Sequence, residues 1–131
     1  MIGLDTNVLV RYLTLDDARQ TPLAVEIIDS LSADSPGFIS LVVIVELVWV
    51  LETSYDFGKD RIIETLEAML RSHELAVERT DTVRQALRRF AASRAGFDDC
   101  LIERCCREAD CRYTVTFDKK AAGAGMRLIT G

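Results

Sequence analysis

Histidine is almost absent from the sequence, since His73 is the only one in 131 residues. It follows a helical apolar pattern, in a turn, which favours a surface or capping role over catalysis. The cysteines form no C-x-x-C pair and match no zinc-site spacing, so reduced, packed thiols are the favoured interpretation. They are Cys100, Cys105, Cys106 and Cys111. A conventional zinc site and a histidine-based catalytic site are therefore both disfavoured.

Long apolar runs are also missing. The most apolar stretch, Phe38 to Leu51, has roughly 14 residues, whereas a membrane span needs about 20. Met1 to Asp5 carries an acid where a secretory signal would carry basic residues. The composition, 49% hydrophobic and 28% charged, is that of an ordinary globular core and surface. We therefore expect a soluble, cytoplasmic protein without a membrane segment, folded as one domain over residues 1–131.

Neither a glycine-rich phosphate loop nor a serine nucleophile elbow occurs in the sequence. The net charge of −5 disfavours general affinity for nucleic acids. The charge is uneven, however, because residues 1–70 carry −8 and residues 71–131 carry +3, which together give the −5. Such asymmetry indicates either a basic face for a polyanion or an ordinary solvated surface, and both interpretations stay open.

The apolar patterns predict the element order β-α-α-β-α-α-β-α-α-β-β. The predicted strands cover residues 1–5, 38–40, 75–78, 112–116 and 127–130. The predicted helices cover residues 8–13, 20–31, 41–55, 59–71, 82–92 and 100–109. Strands separated by helices favour a mostly parallel central sheet covered on both faces, which is a three-layer α/β/α domain.

Four acidic residues stand at comparable places in this order. Asp5 follows the first strand, Glu46 lies in the helix after the second, Asp99 begins a helix, and Asp118 follows the fourth strand. Ligand sites in open parallel sheets lie beyond the carboxyl ends of the strands. We therefore expect these four acids to meet at one edge of the sheet.

Each acid also has a local explanation. Asp5 or Thr6 is a suitable N-cap for the first helix, and Asp99 lies where a helix dipole favours a negative charge. Glu46 interrupts an apolar run, and an unpaired buried carboxylate is costly. A salt bridge, or a place on the one wet edge of its helix, would account for it without a functional role.

Clustered carboxylates repel one another unless a cation holds them, and oxygen-only sites suit Mg²⁺ or Mn²⁺. A metal in such a site can activate water and stabilise the oxygens of a reacting phosphodiester. This chemistry needs no histidine base, which agrees with a chain that contains only His73.

Five motifs in the sequence are similar to those of a known family. They are LDTNVLVRYLTLDD, FISLVVIVELVWVLETSY, Ala86-Leu87, GFDDCLIERC and VTFDKKA, and they run from end to end of the chain. Together they resemble the PIN-domain ribonucleases, and specifically the toxin subunit of VapBC-type toxin–antitoxin pairs. The resemblance implies a PIN-like α/β/α fold and an endoribonuclease that depends on Mg²⁺ or Mn²⁺.

The resemblance also implies roles for individual residues. The metal-binding and catalytic positions of the family fall on Asp5, Glu46, Asp99 and Asp118. Polar positions that support these acids fall on Thr6, Asn7 and Thr116. The family usually reads Asp-Phe-x-Asp, whereas Gly96 stands here at the first place and Asp98 at the variable one. We therefore assign Asp99 as the third acid and give Asp98 a supporting role.

Partners follow from the same resemblance. The family cleaves RNA, is neutralised by a small antitoxin that lies across the site, and usually forms homodimers. Apolar residues on the early helices would serve such a partner or belong to the core: Val8, Tyr12, Leu23 and Ile27. Four arginines off the core face of their segment are candidates for RNA phosphate contacts or are simply exposed: Arg84, Arg88, Arg89 and Arg94.

Two other interpretations compete. An aspartyl phosphatase needs a second Asp two residues after the first, where Asn7 stands, and a phosphoacceptor domain needs an acidic pair earlier than Asp16-Asp17. The other is a non-catalytic RNA-binding or scaffolding module of the same fold. Such a module has no reason to retain four costly like charges, and it should neither gain stability from Mn²⁺ nor cleave RNA.

Overall fold

The computed structural model describes residues 1–130. The chain forms two compact units, Met1–Glu78 and Arg79–Gly131. Gly131, the last residue of the predicted domain, lies outside the described residues. That the chain forms one domain stays a prediction.

The first unit contains three parallel strands and four helices. In chain order they are β1 (Ile2–Gly3), α1 (Thr6–Thr14), α2 (Gln20–Asp29), β2 (Gly37–Ile39), α3 (Leu41–Tyr55), α4 (Lys59–Arg71) and β3 (Leu75–Val77). The strands lie in the order β1-β2-β3, with Gly37 opposite both Ile2 and Leu75. Parallel neighbours need a crossover, and a helical pair supplies each one.

Close packing beneath the sheet requires glycine at position 37. A Cβ there would lie 2.6 Å from Leu4 Cδ1 and 2.9 Å from Leu31 Cδ1, closer than carbon atoms approach. Both leucines are buried. Gly37 therefore allows β2 to pack directly against two apolar side chains that precede it in sequence, Leu4 and Leu31.

Helix α3 begins and ends where the sequence predicts. The Ser40 hydroxyl accepts a hydrogen bond from the Val43 N–H at 3.2 Å, so Ser40 is the N-cap of the helix. Glu78 accepts a second from the Leu41 N–H at 2.8 Å. The buried side of the helix consists of Val43, Ile44, Leu47, Val48 and Leu51.

The second unit contains α5 (Thr80–Ala92), α6 (Phe97–Glu108), β4 (Val115–Thr116), α7 (Lys119–Ala122) and β5 (Arg127–Leu128). The rings of Phe90 and Phe97 meet edge to face, with centroids 6.0 Å apart, between α5 and α6. The core face of α5 consists of four buried residues: Val83, Ala86, Leu87 and Phe90. Strands β4 and β5 pair in parallel as a separate two-stranded sheet.

Several predicted helix bounds are wrong. Helix α1 begins at Thr6 rather than residue 8, and α2 ends at Asp29 rather than residue 31. Helix α5 begins at Thr80 rather than residue 82, and Arg79 precedes it in the left-handed region (φ 50°). Helix α6 begins at Phe97 rather than Cys100. The segment after Asp118, where no helix is predicted, forms the single-turn helix α7. The strands are also shorter than predicted.

A tertiary interaction accounts for the start of α5. The Arg79 guanidinium and the Thr82 hydroxyl both donate hydrogen bonds to the Glu108 carboxylate at the end of α6. These bonds fix the first turn of α5 against a residue far away in sequence, so local capping patterns do not reveal them.

In the part of the chain that is described, every helix is too short or too polar to cross a bilayer.

We expect Leu47→Ala to lower the free energy of unfolding by about 2–5 kcal/mol, because the side chain is 0% exposed and its removal leaves a cavity. Val42→Ala on the same helix is the control, since Val42 is 71% exposed, and its effect should stay within about 0.5 kcal/mol. Urea denaturation measures both, and equal effects would contradict this placement of α3.

Candidate functional site

Asp5 lies directly after β1 and is the N-cap of α1. Its Oδ1 accepts a hydrogen bond from the Thr6 N–H at 2.9 Å, so the capping interpretation is confirmed. The side chain is exposed at the carboxyl end of the strand. A carboxylate has about four lone-pair sites, so a single capping bond leaves Asp5 able to accept or coordinate elsewhere.

Glu46 is joined to the same junction through Thr6. The Thr6 hydroxyl donates to Glu46 Oε1 at 2.6 Å, and Thr6 itself is only 6% exposed. Thr6 therefore binds both acids, one through its backbone N–H and the other through its hydroxyl. The first unit thus brings Asp5, Thr6 and Glu46 together.

Glu46 is exposed, although the run around it is apolar. Its flanking residues Leu47 and Val48 are buried, so the carboxylate lies on the wet edge of α3. No basic side chain within residues 1–130 lies within ion-pairing distance of it. Of the local explanations for Glu46, the wet edge is confirmed and the salt bridge is wrong.

The second unit gathers three acids around the start of α6. Burial raises the pKa of the Asp99 carboxyl above its usual value, and the negative charges of Asp98 and Asp118 raise it further. Asp98 Oδ1 accepts a hydrogen bond from the Asp99 N–H at 2.8 Å. These charges act on one another closely enough to make ionisation of Asp99 costly.

Asp118 follows β4 and caps α7, as Asp5 caps α1. Its Oδ1 accepts from the Lys120 N–H at 2.9 Å, and its own N–H donates to Thr116 Oγ1 at 3.1 Å. Thr116 thereby holds the backbone of Asp118, which agrees with its predicted supporting position.

Asn7 is placed differently from the other supporting residues. It lines a cavity of about 250 Å³ against α2, together with Arg11 and Ile27. Within residues 1–130 no hydrogen bond links its side chain to Asp5 or Glu46.

Of the apolar residues on the early helices, Val8 is half-buried, whereas Tyr12, Leu23 and Ile27 are exposed and do not belong to the core.

The four predicted arginines are all exposed, as expected for positions off the core face of α5. Arg84 pairs with Asp81 at 3.7 Å. Arg88 and Arg89 instead line a pocket with Arg104 of α6, a residue that the sequence patterns did not single out. Its only sequence signal is a basic residue beside Glu103 in an otherwise apolar helix turn.

The donor set agrees with a hard divalent cation. Both clusters offer carboxylate oxygens, which Mg²⁺ and Mn²⁺ prefer, and a cation would relieve the repulsion at Asp99. Among the described residues, no three carboxylate, thiol or imidazole side chains lie close enough together to hold a metal.

We expect Asp99→Asn to raise the melting temperature of metal-free protein at pH 7. The raised pKa means that the ionised carboxylate costs stability in the folded state at neutral pH, and a neutral amide removes that cost. The gain should disappear below pH 3.8, where the carboxyl is protonated in both states. Asp110→Asn is the control, because Asn tolerates its left-handed backbone (φ 65°). A lower melting temperature for Asp99→Asn than for the control would contradict the electrostatic interpretation.

The chain is similar to proteins of known family. The family model described as PIN domain matches residues 2–125. A VapC ribonuclease from Aquifex aeolicus (strain VF5) is 25% identical over 127 residues, which cover 96% of this chain and 93% of that protein. Among solved structures, Mycobacterium tuberculosis VapC20, described as a Sarcin-Ricin loop cleaving toxin, aligns over 100% of both chains at 19% identity and a TM-score of 0.46.

The family match extends across nearly the whole sequence and includes all four predicted acids. It confirms the α/β fold class and the resemblance on which the site residues were assigned. The chain belongs to the PIN domain family.

Proposed function

We propose that this chain is a divalent-metal-dependent endoribonuclease and the toxin of a VapBC-type pair. The observation that carries the proposal is the Asp99 carboxylate, which is half-buried beside the charges of Asp98 and Asp118. A fold gains nothing from such an arrangement unless a cation binds there. Family membership and the name of the Aquifex relative support ribonuclease activity.

The metal, Mg²⁺ or Mn²⁺, would be held by Asp5, Glu46, Asp99 and Asp118. These are the carboxylates at the β1–α1 junction, on α3, at the start of α6 and at the β4–α7 junction. When bound, the metal supplies a water of lowered pKa as the nucleophile and charge stabilisation for the phosphodiester.

The side chains around the acids fix the positions of the ligands. The Thr6 hydroxyl restrains Glu46, and its N–H restrains Asp5, so both carboxylates keep one orientation. Thr116 does the same for the backbone of Asp118. Asp98 accepts from the Asp99 N–H and adds negative charge, which strengthens the attraction for a cation.

The substrate is RNA, and we propose that the basic residues of α5 and the segment after it bind its phosphates. They are Arg84, Arg88, Arg89 and Arg94. Exposed guanidinium groups bind phosphate oxygens through charge-assisted hydrogen bonds.

The partners are a small cognate antitoxin and a second copy of the chain. The exposed apolar residues of α2, including Leu23 and Ile27, line the cavity beside Asn7 and offer a surface for the antitoxin. A cytoplasmic location, where an RNA target is available, belongs to the same proposal.

Metal binding is tested by adding Mn²⁺ to metal-free protein and following the melting temperature. We expect wild type to be stabilised, because a ligand that binds only the folded state raises its stability, by about 2.7 kcal/mol at a hundredfold excess over Kd. Asp99→Asn should lose most of this gain, whereas Asp110→Asn should keep it. An equal response in all three proteins would place the metal elsewhere.

Cleavage is tested with Asp5→Asn and a mixture of cellular RNAs. We expect the variant to lose more than about 100-fold in cleavage rate, since even residues behind a metal ligand commonly account for 10–100-fold. Asp34→Asn, in an exposed turn of the same unit, is the control. Circular dichroism checks the fold, and wild-type cleavage by folded Asp5→Asn would show that this site assignment is wrong.

A further inference from the structure

A concave basic pocket lies between α5 and α6 in the second unit. Its volume is about 360 Å³, and no acidic side chain is among its lining residues within the described chain. The lining consists of Gln85, Arg88, Arg89, Ala92 and Arg104. Three guanidinium groups therefore converge on one small space.

A buried carboxylate fixes one of these arginines. Glu103 is only 4% exposed, and it accepts hydrogen bonds from the guanidinium of Arg104, whose side chain is 18% exposed. Arg107 Nη2 lies 3.6 Å from the other Glu103 oxygen. A buried charge needs such partners, so Arg104 is held in one orientation. Its remaining N–H groups, out of five, are left to bind another acceptor.

Gly125 packs against the same group of side chains. A Cβ at this position would lie 3.4 Å from Arg89 Nη1 and 3.7 Å from Glu103 Cδ, and the residue has φ +105°, which favours glycine. Glu103 and Arg89 thus both pack against the segment that follows α7. Packing from a third element limits the freedom of the Arg89 side chain.

The charges of Arg88 and Arg89 are not neutralised by an acidic neighbour among the described residues, although Arg104 is paired with Glu103. Arg88 and Arg89 have no acidic side chain within 4.0 Å in residues 1–130, whereas Arg84 on the same helix pairs with Asp81. Like-charged guanidinium groups repel one another, and a bound anion removes that cost. A tetrahedral phosphate offers several acceptor oxygens to such a set of planar donors.

The pocket lies on the same helix as the acids at the start of α6, since Arg104 belongs to α6 and lines the pocket. Asp99 and Arg104 are separated by about 7.5 Å along the helix axis. A short stretch of single-stranded RNA spans such a distance.

We propose that Arg88, Arg89 and Arg104 form a phosphate-binding subsite for the RNA strand, with Glu103 as the residue that positions Arg104. The subsite rests on the proposed ribonuclease function. It binds a phosphodiester of the substrate one or more nucleotides away from the bond that is cut. It adds Arg104 and Glu103 to the residues identified from the sequence.

The test measures binding of a fluorescent single-stranded RNA in metal-free buffer over a range of salt concentrations. We expect Arg88→Gln/Arg89→Gln to weaken binding at low salt by roughly tenfold or more, as for charge-assisted hydrogen bonds. The slope of log K against log salt should become shallower by about 0.7 for each phosphate that the variant no longer binds. Arg104→Gln should have the same kind of effect.

Arg112→Gln is the control, because it removes one positive charge from an exposed arginine of the same unit that does not line the pocket. Circular dichroism shows whether Arg104→Gln folds. If that variant does not fold, Arg88→Gln/Arg89→Gln still tests the subsite, because both of these arginines are exposed. Equal slopes for the control and the pocket variants overturn the subsite. RNA cleavage by the wild-type protein is assayed separately. If the wild type cleaves RNA and the salt slopes are equal, only the phosphate-binding subsite is ruled out. If the wild type cleaves no RNA, the proposed ribonuclease function is ruled out.

Discussion

Helix capping at the carboxyl ends of the strands is the constraint on which the proposed site depends. At three junctions a strand gives way to a helix within one or two residues, and an oxygen of the linking side chain accepts a hydrogen bond from the first turn. The capping residues are Asp5, Ser40 and Asp118. Two of the three are acids, so the bond that starts a helix also fixes a carboxylate at the end of a strand. The structural and the functional explanations of Asp5 and Asp118 are therefore compatible.

Electrostatics distinguishes the acids from ordinary caps. Asp99 is not the N-cap of α6, which is Gly96, and yet it is half-buried next to Asp98 and within range of the charge of Asp118. The helix dipole favours one acid in a first turn, but it does not account for a second and a third beside it. A bound metal ion would relieve this repulsion, so metal binding would stabilise the fold. The same metal ion would supply the chemistry that cleaves a phosphodiester.

Local patterns in the sequence were sufficient to predict the bounds of helices that have a clear start signal and a regular apolar spacing. The bounds of α3 and α4 agree with prediction, since Ser40 and Gly58 mark their starts. Features that depend on packing between distant residues were missed. The start of α5 is fixed by Glu108, and the basic pocket exists only because α5 packs against α6, which brings Arg104 beside Arg89. The exposure of Glu46 was left open, because an apolar run does not reveal which edge of a helix meets water.

The most direct test of the central claim is the location of Mn²⁺ by anomalous diffraction from crystals grown with the metal. We expect a peak coordinated by the carboxylates of Asp5 and Asp99 at a metal–oxygen distance of about 2.1 Å. Such a peak would identify Asp5 and Asp99 as metal ligands. Peaks confined to other surface carboxylates, in crystals where the β1–α1 junction and the start of α6 are well ordered, would contradict the proposed site.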